Sequence, residues 1–343
     1  MKGNVNENQE YSNMTNKEYL KMRYERIRNN LSNPIKRKVA ANNTTEFFIS
    51  IFRAVLLFGF CFIILFPIFQ KLSLSVRIPT DIANPAIVFI PSQLSIMNYR
   101  IVILILDYWR GLFASFALST IVMFSQLAIS SIAGYAFARL KFRGSGVIFV
   151  ILILMLLIPP QVLHVSRVVL FTNMGLRGRI WALPLITLLG MGLRTGLFIF
   201  LFRQFFAGLP KELEESAQVD GAGVFRTFFS VMLPNARGII LSVGLFAFVW
   251  QWNDRTFDML LNLSTDSFPL LPARLVGTAE RLPAIIRIHR LERYVGEDIA
   301  NSALFMGMII NTAALMVMGP LLILYLFVQK QFIEGVERSG ITG

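Results

Sequence analysis

The sequence predicts an all-α integral membrane protein with six transmembrane helices. Three observations carry that prediction. Apolar residues make up 55% of the 343 positions and charged residues only 15%, where soluble domains carry about 25% charge. Six apolar runs reach the length of about 20 residues that a helix needs to cross a bilayer. The charge is lopsided, with 33 Lys+Arg against 20 Asp+Glu for a formal +13, and most of the basic residues lie between the runs. A basic balance joined to long apolar runs points to loops beside membrane lipid, not to nucleic acid. A soluble chain of this composition would leave large apolar patches in water.

Residues 1–46 form a polar, Asn-rich arm with nine Lys/Arg and five Asp/Glu. Its composition suits a solvated, partly disordered segment better than the alternative, a basic amphipathic helix from Lys17 to Lys38. The arm is too long for the charged head of a signal peptide, and no small-residue cleavage site follows the first apolar run neatly. The first run is therefore expected to stay attached. The runs are Phe47 to Phe69, Leu112 to Phe137, Val147 to Phe171, Trp181 to Phe206, Gly238 to Phe257 and Leu304 to Val328. In lipid each segment must satisfy its own backbone donors, which makes every run a helix. Pro159-Pro160 withholds two donors and must bend or break the third helix. Gln161, His164, Ser166 and Arg167 behind it then face protein or water.

Residue counts remove several chemistries. Cys61 is the only cysteine and sits inside an apolar run, so neither an intrachain disulfide nor a Cys-based metal site is available. His164 and His289 have no second His or Cys close in sequence. No G-x-x-x-x-G-K-[ST] occurs, so the chain is no P-loop ATPase by itself. The runs hold no Ser-His, paired-Asp or metal constellation, and an enzyme is not expected. With the N-terminus inside, the inner segments hold 18 Lys/Arg and the outer segments 12. Six of those twelve lie in one long outer loop, where the positive-inside rule is weak. Both termini are thereby placed in the cytoplasm.

The inner loop between the fourth and fifth runs reads as a helical hairpin. Pro210 suits a helix start, and Glu212, Glu214 and Glu215 complement the positive end of its dipole. Asp220-Gly221 is a turn signal. A second helix follows with Phe225, Phe228, Phe229 and Met232 at spacings that share one face, and Pro234 ends it. Two readings stand: a hairpin lying on lipid headgroups, or a helix docking in a groove on a soluble partner.

At this loop the chain resembles permease subunits of ABC importers. Glu215-Ser216-Ala217, Asp220-Gly221-Ala222, Phe228 and Leu233-Pro234 are similar to the E-A-A, D-G-A, aromatic and L-P positions of their EAA loop, with Ser216 in place of the first Ala. Ala133 to Phe142, Leu157 to Gln161, Trp252-Asn253 and the tail from Gln329 resemble carbohydrate permeases of the maltose type with six spans. The resemblance runs from about residue 47 to the end. It implies a 47–330 permease domain with a cytoplasmic EAA loop at 207–237 and an extracellular loop at 254–303, then a cytoplasmic tail at 331–343. It further implies a second homologous permease, two copies of a cytoplasmic ABC ATPase that binds the ATP and Mg, and an external sugar-binding protein. No cofactor belongs to this chain itself. The implied location is the cell membrane of a prokaryote. Glu215 is the expected ionic contact with the ATPase, Gly221 the turn, and Ala217, Asp220 and Ala222 the frame around it. Phe225 and Phe228 are either groove anchors or the face that packs on the permease's own spans.

Candidates for the substrate path are fewer. Arg194 is a charge inside the fourth run, to be met by sugar hydroxyls or by a carboxylate of the partner permease. Trp250, Gln251, Trp252 and Asn253 offer aromatic faces and amides suited to sugar, or else an interfacial aromatic belt. A permease for a non-sugar solute would share the EAA loop but not the tail. A secondary transporter would want carboxylates in its spans, and the runs contain essentially none.

Overall fold

The structure, a computed structural model, describes residues 34–84 and 89–340 together with Lys21 and Tyr24. Most of residues 1–33, with the alternative readings of the arm, lies outside the described residues, as does the end of the tail at 341–343. The chain divides into two units, Met1–Phe69 and Gln70–Gly343. In the first, helix α1 (Pro34–Ser75) begins, and its apolar stretch exposes Phe47, Phe52, Phe58 and Ile63 along its length. An apolar helix bare on all sides is what lipid contact demands.

The second unit is helical throughout, and its only β feature among the described residues is an isolated bridge between Arg77 and Leu94. The second run forms α3 (Tyr108–Arg139), after a shorter helix α2 (Met97–Leu106). The third run is broken at the proline pair into α4 (Ser145–Met155) and α5 (His164–Asn173), joined through a 3-10 turn at Pro160–Leu163. At 1.5 Å per residue neither half crosses a bilayer alone. The fourth run is bent by 51° between α6 (Ala182–Met191) and α7 (Thr195–Gly208). The hairpin follows as α8 (Glu212–Val219) and α9 (Val224–Asn235), and an 81° bend leads into α10 (Arg237–Trp252). After a cap of short helices, α16 (Ala303–Gly340) closes the unit. Among the described residues, three helices are long and apolar enough to cross a membrane outright, and up to five spans result if each bent pair counts as one.

Two expectations need correction. The fifth run ends at Trp252, and Phe257 belongs to the next helix, where it is buried. The stretch beyond it folds instead of looping: α11 (Thr256–Leu261), α12 (Leu271–Val276), α13 (Thr278–Ile288), α14 (Glu292–Val295) and α15 (Glu297–Ala300) form a cap. Leu271, Leu282, Ile286 and Val295 of the cap share a core with Ile101, Val102 and Ile105 of α2 and with Phe305 and Met308 of α16. Apolar burial therefore holds the cap down. Asn98 pins α2 by donating to the carbonyls of Ser75 and Arg77, both at 2.9 Å.

Helix α3 is the spine of the unit, packed along α7 and α10. Its closest approach to α7 is at Gly134, where a Cβ would lie 2.4 Å from Cβ of Phe202. Only a residue without a side chain lets the two backbones meet there.

Candidate functional site

The hairpin is built on a helix-ending motif. Helix α8 starts behind Pro210 with Glu212, Glu214 and Glu215 in its first turn. At its end the Gly221 amide donates to the Gln218 carbonyl at 3.0 Å and the Ala222 amide to the Ala217 carbonyl at 2.9 Å. That pair of bonds is a Schellman motif, whose C′ residue must be left-handed. Gly221 occupies it with φ +76°. The turn so formed reverses the chain, and α9 begins at Val224.

Helix α9 splits its aromatics. Phe228 and Met232 are buried, whereas Phe225 is 77% exposed and Phe229 is exposed too. The expected common face is split, and from Phe228 to Met232 the chain winds as a π turn. Phe228 lies against Tyr135 of α3 (ring centroids 5.2 Å) and Phe206 of α7 (6.2 Å). It roots the hairpin in the bundle, while Phe225 remains free. Glu215, Asp220 and Pro234 are exposed, Ala217 is buried, and Ala222 and Leu233 are half-buried.

A cation ties the hairpin to the spine. Arg139, the last residue of α3, donates to the Phe206 carbonyl at 3.0 Å and to the Leu209 carbonyl. Its Nε also stands 3.7 Å from Glu214 of α8, with both side chains largely buried. One guanidinium thereby joins the ends of α3, α7 and α8.

At the opposite end lie the remaining candidates. Arg194 has φ +56° at the break between α6 and α7, and its guanidinium sits 4.5 Å from the Trp250 ring. Trp250 is also stacked on Phe198 and Phe246. Asn253 is exposed and donates to the Val249 carbonyl at 2.8 Å. Gln251 and Trp252 are buried, and Gln251 Oε1 and Trp252 Nε1 have no hydrogen-bond partner. They line a small polar pocket with Ser115, Ser119, Asp254 and Asp258. Asp254 caps α11 by accepting from the Thr256 and Phe257 amides, and burial pushes its carboxyl up to about 6. The structure thus brings the hairpin residues together around Gly221 and Arg194 against Trp250. Gln251 lines the small pocket, and Asn253 bonds back to its own helix.

Residues 126–257 match the family of binding-protein-dependent transport system inner membrane components. A probable ABC transporter permease of Pyrococcus horikoshii is 32% identical over 218 residues, covering 64% of this chain and 69% of that protein. This chain belongs to that permease family. The permease is also 27% identical over 295 residues to an arabinooligosaccharides transport system permease of Halalkalibacterium halodurans, covering 84% of this chain and 96% of the relative. A melibiose/raffinose/stachyose import permease of Bacillus subtilis is 26% identical over 284 residues, 81% of this chain and 91% of the relative. Among solved structures, the fold matches a bacterial ABC transporter involved in the import of the acidic polysaccharide alginate. The TM-score is 0.69 at 21% identity, over 84% of this chain and 98% of that chain. The permease is a transport subunit and not an enzyme, and the family places it in the inner membrane as a multi-pass protein.

Sequence reasoning did not find the Arg139–Glu214 link, because its partners lie far apart in sequence and no local spacing joins them. It also passed over Asp254 and Asp258, whose burial comes only with the folding of α11.

Proposed function

We propose that this permease is the membrane subunit of an ATP-driven, binding-protein-dependent importer of oligosaccharides. The named cargoes of its relatives support the substrate class: arabinooligosaccharides, melibiose, raffinose and stachyose, and maltodextrin. The observation that carries the mechanism is the hairpin. Its inner side, Phe228 and Met232, is rooted in the bundle, and its outer side presents Glu215, Val219, Val224 and Phe225 to solvent. An apolar and acidic helix tip of this kind suits a groove on a soluble partner. That partner is a cytoplasmic ABC ATPase, in two copies, one for this chain and one for a second, homologous permease. ATP and Mg bind to the ATPase, and a sugar-binding protein delivers cargo to the cap side. Closure of the ATPase pulls the hairpin, and Arg139 and Phe228 pass the movement to α3 and α7.

In this reading the chain crosses the membrane six times, with α4 and α5 as one crossing broken at the proline pair. Both termini and the 207–237 hairpin are cytoplasmic, and the 254–303 cap is extracellular.

The test is uptake measured together with co-purification of the ATPase. Nothing lies within 4 Å of a Cβ built on Gly221, so a substitution there acts through the backbone alone. Gly221→Val puts a β-branched residue at positive φ, a strain of about 1–3 kcal/mol. It is expected to cut uptake steeply and weaken ATPase association at unchanged membrane level. Gly221→Asn, which tolerates the left-handed region, should retain most of both. Glu215→Lys reverses an exposed charge and should weaken association too. Normal uptake by Gly221→Val would remove the hairpin from the coupling path.

A further inference from the structure

Arg194 is out of balance with everything around it. It stands near the middle of the bent fourth span, twelve residues from Ala182 and fourteen from Gly208. A guanidinium stays charged at any physiological pH, and a charge in a membrane span faces a cavity, a path or a partner. The helical segments 108–139, 145–173, 182–208, 237–252 and 303–330 contain no Asp or Glu. Among the described residues Arg194 makes no ion pair, and its side chain has no hydrogen bond; its recorded contact is the Trp250 ring.

The polar side chains on either side of it in the fourth span are already occupied. Gln126 donates to the Thr195 hydroxyl at 2.8 Å, Thr195 donates to the Gly192 carbonyl at 3.0 Å, and Thr187 donates to the Leu183 carbonyl at 2.8 Å. None of these groups bonds to the exposed Arg194 cation. It is also held in place: Trp250, itself stacked on Phe198 and Phe246, forms a fixed platform beneath it. A pre-set guanidinium with free donors is matched by a carboxylate, which it can hold with two parallel bonds.

We propose that Arg194 selects acidic cargo, so that this permease carries oligosaccharides bearing carboxylates of the uronate type. The inference rests on the carbohydrate reading given above. The importer, assembled with its own partner subunits in proteoliposomes, is offered a panel of uronate trisaccharides and the same sugars with their carboxyl groups reduced to alcohols. Wild type is expected to favour the uronates. Arg194→Gln should lower the ratio of uronate to reduced-sugar uptake roughly tenfold, the scale of one charge-assisted bidentate contact. Arg194→Lys, which keeps the charge but not the fork, should fall between them. An unchanged ratio in Arg194→Gln, or a wild type that favours the reduced sugars, overturns the inference and leaves the carbohydrate reading standing. Loss of the second permease from the purified complex, with both uptakes falling in equal proportion, also overturns it, because Arg194 would then pair with a partner carboxylate. Uptake of neither sugar class, with a non-carbohydrate solute entering instead, removes the carbohydrate reading and the inference together.

Discussion

Arg139 carries more of the architecture than any other single residue at the hairpin end. Its side chain meets two backbone carbonyls, those of Phe206 and Leu209, and one carboxylate, that of Glu214. The carbonyls matter because a helix end leaves acceptors without intrahelical partners, and α7 ends at Gly208. Removing the cation leaves those acceptors unmatched and leaves a largely buried carboxylate with only the Tyr135 hydroxyl to meet it. Arg139→Leu should therefore destabilise the fold by about 3–5 kcal/mol, the scale of a broken buried pair. Glu214→Gln removes only the pair at 3.7 Å and leaves both carbonyl bonds, so its cost should be well under that. Thermal unfolding of the purified permease in detergent separates the two. Equal losses for both variants would mean that the ion pair, not the carbonyl clamp, holds the corner.

At the scale of elements, what was legible in the sequence was local. The acidic first turn, the Asp220-Gly221 signal and the closing Pro234 lie within 25 residues, and α8, its turn and α9 appear where they point. The proline pair likewise announced the break between α4 and α5. The π turn at Phe228–Met232 and the exposure of Phe225 beside it were not legible, since a slightly wider turn leaves the apolar pattern almost intact. Nor was the cap, whose helices of four to eleven residues gain their burial from α2 and α16, far away in the chain. Its first helix has its own control. Burial raises the Asp254 carboxyl to about 6, against the pull of the Thr256 and Phe257 amides, and the nearby Asp258 adds to the rise. The folded cap thus binds a proton more tightly than the opened one does. That carboxyl's contribution to the cap's stability is fully present below its unfolded value and is lost as pH rises through about 6. Hydrogen exchange of the α11 amides, corrected for intrinsic rates, should show more protection at about pH 5 than at about pH 7.5. Asp254→Asn keeps a capping acceptor and should flatten that difference; a flat profile in the wild type would contradict the assignment.

For the whole molecule the decisive quantity is the number of crossings, because it fixes which compartment each functional end faces. Helices α4 and α5 decide it: together they are long enough to cross, yet each alone is too short. The side of the hairpin depends on them. If α4–α5 crosses and the bent α6–α7 crosses back, Arg143 before them and Ser216 after them face the same side. If the proline pair instead turns the chain back as a re-entrant loop, those two positions face opposite sides. Single cysteines in a Cys61→Ser background decide between these outcomes, and Arg143, Ser216, Ser92 and His289 are all exposed. Under six crossings a membrane-impermeant thiol reagent added to intact cells should label Ser92→Cys and His289→Cys. It should reach Arg143→Cys and Ser216→Cys only after the membrane is opened. The basic residues favour this arrangement, since the segments around Arg143 and Ser216 carry seven Lys/Arg between them on the inner side. Labelling of Ser216→Cys in intact cells would put the hairpin outside, away from any ATPase. The coupling path from Gly221 through Arg139 to α3 would then have nothing to transmit.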